Sequence, residues 1–218
     1  MSARDDILGA VRAARIGTFG GVEPPPLPRM PLGFAQRIVS RDDLVARFID
    51  SAAGAAARVV HGTRAELATL VAGFSGDGLA SDGVARFDRE AQRVASRCLS
   101  MVPGVPGTVA VPDDPHALAD LDLLVCEGVL GVAENGGIWL PASRLGERSA
   151  LVLARHVVVV LARSSIVADL HAAYAAVDVS AESFGVFLAG PSKTADIEQS
   201  LVIGAHGAMG VTVVLLDE

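Results

Sequence analysis

Apolar and polar positions follow one another along this chain in a pattern that predicts strands separated by helices. Short, nearly unbroken apolar runs are typical of strands covered on both faces of a parallel sheet. Such a run occupies residues 157–161, and further segments that predict strands lie at 58–61, 123–127, 138–140, 184–189 and 211–216. Because helical patterns lie between them, we expect an α/β domain with a mainly parallel sheet flanked by helices.

The helical patterns carry recognisable start signals. Ser40 precedes a pattern over 41–57, and Thr63 with Glu66 forms a capping box that opens a helix reaching about residue 74. Shorter helices are expected at 115–121 and 165–177, and another directly after the Gly-Pro at 190–191.

The first part of the chain has a different character. Residues 3–16 have the spacing of a short amphipathic helix, and residues 17–33 carry five prolines, a density that excludes a helix or a central strand. We therefore predict two regions, an N-terminal helix with a proline-rich linker at 1–33 and the α/β domain at 34–218. The first region is expected to be peripheral.

Composition narrows the functional classes. With 18 basic and 25 acidic residues the net charge is −7, which argues against a nucleic-acid binder and leaves room for a small anion held by local positive groups. No apolar run approaches the ~20 residues that a membrane span needs. The two cysteines, Cys98 and Cys126, lie in no metal-binding or redox motif. No signal peptide is evident at the start, and we expect a cytoplasmic protein with reduced thiols.

The segment after the fifth apolar run carries the most chemical information. Gly190-Pro191 ends the run, and Ser192, Lys193 and Thr194 follow; Lys193 is the only lysine in the sequence. Small hydroxyl residues and a lysine at the first turn of a helix form a seat for a phosphate or carboxylate. The alternative is an ordinary strand-to-helix turn with a Ser/Thr/Asp cap.

Other titratable residues have weaker patterns. Asp196 suits either an acid–base or a capping role, whereas Glu198 suits capping. His206, between Gly204 and Gly207, is the histidine best placed for a site, and its alternative is a turn histidine bonded to a carbonyl. His156, before a buried run, is interpreted as a hydrogen-bonded core histidine. No pattern indicates a metal site or identifies a cofactor.

Three segments carry a resemblance to a known family. They are GPSKTADIEQSLVIGAHG at 190–207, GVAENGG at 131–137 and RHVVVV at 155–160. Together they resemble the LUD-domain family, specifically its lactate utilization protein C group. Asn135 and Gly137 depart from the Ala-Glu-Thr-Gly-Thr that the family usually shows. The resemblance implies a NagB/RpiA/CoA-transferase-like fold and binding of a small anion by Gly136, Gly190, Ser192, Lys193, Thr194, Asp196 and His206.

The resemblance also implies a role in oxidising L-lactate to pyruvate together with separate iron–sulfur proteins. Two cysteines are too few for this chain to carry such clusters on four thiolates by itself.

Glu134 supports an alternative function, that of an acyl-transfer enzyme similar to coenzyme A transferases. Ala133-Glu134-Asn135-Gly136 is similar to the Ser-Glu-Asn-Gly motif of coenzyme A transferases, whose glutamate is a carboxylate nucleophile. Glu134 would then be catalytic, and Gly136 would let a ligand approach the backbone. Otherwise Glu134 bonds nearby backbone N–H groups. A third possibility is an assembly subunit without catalysis.

These motifs also predict a geometry. The Glu134 turn and the turn at 190–196 should lie at the same end of the sheet and border one cleft, outside the carboxyl ends of the parallel strands.

Overall fold

The structure, a computed structural model, describes residues 4–8, 40–74, 97–178, 181–194 and 202–217. The chain divides into two units, Met1–Ile38 and Val39–Glu218. In the first unit, residues 4–8 belong to a helix, α1. The predicted linker at 17–33 and the rest of the predicted helix lie outside the described residues, so the boundary between 33 and 34 stays a prediction.

A five-stranded parallel sheet forms the centre of the second unit. Its strands are β1 (Arg58–Gly62), β2 (Cys98–Ser100), β3 (Leu123–Glu127), β6 (His156–Ala162) and β11 (Gly210–Leu216). They lie in the order β1-β11-β6-β3-β2, and every pair is parallel. The predicted α/β class with a mainly parallel sheet is confirmed.

The unbroken apolar runs are explained by burial on both faces. In β3, Leu124 and Cys126 join one core cluster, whereas Leu123 and Val125 join the other. All four side chains are fully buried. Because successive side chains of a strand point to opposite faces, a strand with no solvent-facing side needs apolar residues at every position.

Two capped helices flank this sheet near its first strand. Helix α2 (Arg41–Gly54) begins after Ser40, which forms a capping box with Asp43. A 3₁₀ turn (Arg64–Glu66) leads into helix α3 (Leu67–Phe74), and Thr63 forms the predicted capping box with Glu66. Both predicted helix starts are confirmed.

A second sheet of four strands was only partly predicted. Its strands are β4 (Leu130–Val132), β5 (Gly137–Pro141), β7 (Ile166–Val167) and β8 (Gly185–Leu188), in the order β7-β4-β5-β8. Strands β5 and β8 were expected, but β4 and β7 were not. One face of this sheet joins the main core through Ile138 and Leu140, and the other packs on helix α5 (Leu170–Ala176) through Trp139.

The helix predicted at 165–177 is wrong over its first residues. Ile166 and Val167 pair with Gly131 and Val132 as β7, and Asp169 then caps α5, its side chain accepting from the N–H of Ala172. The remaining helical elements are short: α4 (Ala150–Leu153) and the 3₁₀ turns Pro115–Leu118, Ala142–Arg144 and Arg163–Ser165.

A pair of two-residue strands completes the described fold. Strand β9 (Lys193–Thr194) pairs antiparallel with β10 (Val202–Ile203). Helix α2 leads through Ala55–Ala57 directly into β1 of the central sheet. We name the ends at which the central strands begin the amino edge and the ends at which they finish the carboxyl edge. Helix α2 therefore ends at the amino edge.

Candidate functional site

The Gly-Pro-Ser-Lys motif packs against the C-terminal end of α2. Gly190 has a φ of +70°, and a Cβ added to it would overlap the carbonyl oxygen of Ala55. Pro191 is buried next to it. Gly190 is therefore required twice, for its left-handed backbone conformation and for its close approach to the end of the helix.

The predicted helical first turn at this motif is wrong. Lys193 and Thr194 are extended and pair with Ile203 and Val202. The N–H of Ser192 donates to the carbonyl of Ala208 at 3.0 Å. Ser192–Thr194 therefore do not form a helical first turn, and anion binding by these residues stays a prediction.

Lys193 makes a contact that the sequence did not predict. Its Nζ donates to the carbonyl oxygen of Ala55 at 2.5 Å, and Ala55 is the C-cap of α2. The last carbonyls of a helix carry partial negative charge, so a lysine ammonium is stabilising there. The side chain is exposed, and its charge remains accessible to solvent.

The Glu134 turn packs against the same helix end from another direction. It joins β4 to β5, and Gly136, with a φ of +70°, lies so close that an added Cβ would be 2.6 Å from the Cα of Ala52. The hydroxyl of Ser51 donates to the carbonyl of Ala133 at 2.8 Å. Asn135 accepts the N–H of Gly137 through its side chain and so closes the turn.

Glu134 itself is exposed at this turn, and its carboxylate has a described partner. Its Oε2 accepts the backbone N–H of Leu170 at 3.1 Å, at the first residue of α5. The first N–H groups of a helix lack partners within the helix, and a carboxylate there is stabilising. This contact supports the alternative in which Glu134 bonds backbone N–H groups.

The two turns lie at the same end of the sheet, as predicted, but that end is the amino edge and not the predicted carboxyl edge. Both turns contact residues 51–55 of the chain, at the amino edge of the central sheet. The pairing of Ile138 with Leu188 explains this, since it places the start of β5 beside the end of β8. The turns belong to the second sheet, so the rule for the carboxyl ends of parallel strands did not apply to them. That they border one cleft stays a prediction.

The glycine–histidine turn joins this group of residues. Ser192 accepts the N–H of Gly204 through its carbonyl, and Gly207 lies so close to Ser192 that an added Cβ would be 3.2 Å from the serine Cβ. His206, between them, is exposed. Of the predicted site residues, Asp196 lies outside the described residues, as does Glu198.

His156 and Thr212 form a polar pair at the amino edge. The sequence predicted the buried histidine but not its threonine partner. The Nε2 of His156 lies 2.9 Å from the hydroxyl of Thr212, which is buried within β11. Burial of the ring, and secondly the charge of Arg58, lowers the pKa of His156 to about 4. The ring is therefore neutral at pH 7, and the prediction of a hydrogen-bonded core histidine is confirmed.

The remaining polar groups give no sign of a metal centre. Among the residues that the structure describes, no group of three or more His, Cys, Asp or Glu side chains is placed to hold a metal ion. Cys98 and Cys126 are free and buried, and burial raises the pKa of the Cys126 thiol to about 12. A search of the described residues also finds no helix with the length and apolar character to cross a membrane.

Known proteins are similar to this chain in sequence and in fold. Residues 115–216 match the family model of the LUD domain. Lactate utilization protein C of Shouchella clausii (strain KSM-K16) is 32% identical over 92 residues, which cover 40% of this chain and 40% of that protein. The match thus spans less than half of the curated relative's length.

The fold is shared with a solved structure. A DUF162 family protein from Deinococcus radiodurans superposes with a TM-score of 0.56 at 19% sequence identity, covering 81% of this chain and 98% of that chain. The LUD model covers β3 to β11, and with them both turns that meet at α2. Over residues 115–216 the chain is therefore similar to LUD-domain proteins.

Proposed function

We propose that this protein is a component of an L-lactate utilization system, in which L-lactate is oxidised to pyruvate. The observation that carries the proposal is the match to a relative named lactate utilization protein C, together with the LUD domain. The role is one of a component, since two buried cysteines do not suffice for an iron–sulfur cluster on four thiolates. We place it in the cytoplasm with separate iron–sulfur partner proteins.

The ligand proposed for the α2 end is a small carboxylate. Lys193 supplies a full positive charge at this helix end, and Ala55 takes one of the three N–H donors of its ammonium group. The helix end contributes roughly half a negative charge, which one full positive charge outweighs. A carboxylate is therefore attracted by the side chain of Lys193, and we expect His206 and the hydroxyls of Ser192 and Thr194 to donate hydrogen bonds to it.

Growth on lactate tests the proposal. Deleting the gene from its native host is expected to abolish growth with L-lactate as the carbon source and to leave growth on pyruvate unchanged. A plasmid copy of the wild-type gene should restore growth. Undiminished growth of the deletion strain on L-lactate would contradict the proposed role.

The partners are tested separately. The tagged full chain, purified from lactate-grown cells without oxygen, is expected to bring with it proteins that contain iron and acid-labile sulfide. The chain purified alone from a heterologous host should contain neither. Failure to recover an iron–sulfur protein from lactate-grown cells would remove the partners from the proposal without removing the lactate role.

Glu134 and Lys193 also support the assembly-subunit alternative, since both make contacts that stabilise helix ends. Under that alternative, Lys193→Ala and Glu134→Gln both restore growth on L-lactate in the deletion strain. A coenzyme A transferase that uses Glu134 predicts the opposite for Glu134→Gln. It also predicts transfer of coenzyme A from an acyl-CoA to a carboxylate by the purified chain.

A further inference from the structure

The amino edge of the central sheet carries exposed apolar side chains. Met209, directly before β11, is 50% exposed, and Leu153, the last residue of α4, is 36% exposed. Val202, the first residue of β10, is 37% exposed. We name Leu153, Val202 and Met209 the Met209 surface.

Two contacts of Met209 join the segments that carry this surface. Its N–H donates to the carbonyl of Arg155 at 2.8 Å, two residues after Leu153. Its side chain lies beside Gly204, since a Cβ added to that glycine would be 2.6 Å from the Met209 Cγ. Gly204 follows β10 directly, two residues after Val202. The three apolar side chains therefore belong to neighbouring segments.

A group of exposed apolar side chains has a different meaning from a single one. Single exposed apolar residues are common on protein surfaces, whereas neighbouring ones mark interaction sites. Methionine and arginine are also enriched in the centres of protein interfaces. The side chain of Met209 adapts its shape to a partner because it is unbranched and flexible.

Arg155 adds a positive charge beside these apolar residues. Its side chain is exposed, and no carboxylate pairs with it in the part of the chain that the structure describes. Lys193 lies on the adjoining strand, because the N–H of Ser192 donates to the carbonyl of Ala208, next to Met209. The described contact of the Lys193 ammonium is with a carbonyl oxygen, which carries no full negative charge.

Other arginines of this chain do have carboxylate partners. Arg97 contacts Asp120 at 3.4 Å, and Arg163 contacts Asp42 and Asp217 at 3.3 and 3.0 Å. The net charge of the protein is −7, so carboxylates are more numerous than cations. An exposed arginine without a carboxylate is therefore a feature of the amino edge that a partner with acidic side chains would complete.

We propose that the Met209 surface docks another protein, whose contact region carries Asp or Glu side chains around an apolar centre. Met209, Leu153 and Val202 lose water on docking, and the fork of Arg155 pairs with a carboxylate of the partner. A second copy of this chain fits poorly, because a two-fold interface would bring the same positive surface of both copies together. The proposal is separate from the small carboxylate at Lys193 and does not depend on the lactate role.

Photocrosslinking of the full chain in its native host, grown on L-lactate and on pyruvate, tests the proposal. The photoreactive residue p-benzoylphenylalanine replaces Met209 and, in a matched control, Val129. Val129 is 43% exposed and follows β3 at the opposite, carboxyl edge. Mass spectrometry of the crosslinked peptides identifies the segment that lies against each position.

We expect a light-dependent product from position 209 and not from position 129, joined to an acidic segment of a different protein. Arg155→Glu should lower its yield at least about tenfold, since like charges then meet in the interface. Arg155→Lys should keep much of the yield. Arg47→Glu, which reverses an exposed charge on α2, should leave it unchanged. Circular dichroism establishes that each variant is folded.

Three results would overturn the proposal. The first is the absence of a product from position 209 under both growth conditions. The second is a product joined to this chain itself, either within one molecule or to a second copy. The third is a yield that Arg155→Glu lowers no more than Arg47→Glu does, since the charge of Arg155 would then have no part in docking.

Discussion

Gly190 lies so close to the carbonyl group of Ala55 that only a glycine fits at position 190. The two residues are separated by more than half of the chain, yet their contact holds the motif against the end of α2. A conservative change at Gly190 thus tests the packing of the whole α2 end.

Gly190→Ala is expected to destabilise the fold by roughly 2–4 kcal/mol, because it adds a steric overlap to a left-handed φ. Urea unfolding followed by circular dichroism measures the change. Gly104→Ala is the matched control, since Gly104 has a φ of +82° but no neighbouring atom within 4 Å of an added Cβ. It should cost only about 1 kcal/mol. Equal costs for the two variants would show that the contact with Ala55 is unimportant.

Lys193→Ala separates ligand binding from folding. We expect the free energy of unfolding to fall by less than about 1 kcal/mol, the value of an exposed charge at a helix end. Binding of a small carboxylate such as L-lactate should weaken by roughly 1–3 kcal/mol, as for a lost charged hydrogen bond. Lys193→Arg should retain much of the binding. A variant that unfolds but binds with unchanged affinity when folded would make the lysine purely structural.

Glu134→Gln tests the capping contact with Leu170. Its amide oxygen still accepts the N–H, but the charge near the start of α5 is lost, so a cost of about 0.3–1 kcal/mol is expected. Urea unfolding at low and high salt measures it, and the difference from the wild type should shrink as salt screens the charge. A cost that does not respond to salt would contradict an electrostatic role.

His156 predicts a dependence of stability on pH. Its pKa is lowered from 6.5 to about 4 in the folded chain, so the unfolded chain binds the proton more readily. The neutral ring's contribution to the free energy of unfolding is therefore fully present above pH 6.5. It is lost as the pH falls toward 4, and the loss reaches about 3 kcal/mol. We expect His156→Gln to flatten the change in unfolding free energy between pH 7.5 and 5.

The control for this prediction is His171→Gln, which removes a histidine from the exposed surface of α5. It should leave the slope of the wild type between pH 7.5 and 5. The same slope in His156→Gln would mean that other groups cause the pH dependence.

The central sheet could be predicted because its signal is local. Every position of β3 and β6 that faces a covered layer is apolar, and such runs admit few alternatives. Strands β4 and β7 gave no such signal, since they have three and two residues and their pairing is set by the partner strand. No periodicity can be read from so short a segment.

The candidate site was predictable in its side chains but not in their partners. The glycines and Lys193 are visible in the sequence, whereas Ala55 takes part through its backbone carbonyl, which every residue type provides. Likewise, Gly-Pro-Ser-Lys-Thr suits a helix start, and the choice of an extended form depends on pairing with Val202 and Ile203. Tertiary contacts, not local preference, decided that segment.

The α2 end has a consequence for the order of folding. It is assembled from Ala52, Gly136 and Gly190, three segments separated by more than fifty residues each. Closing loops of that length costs chain entropy before any contact compensates for it, so such contacts form late. A fragment that lacks any one of the three segments therefore loses this corner of the molecule. The α2 end is complete only when the chain from α2 to β9 has folded.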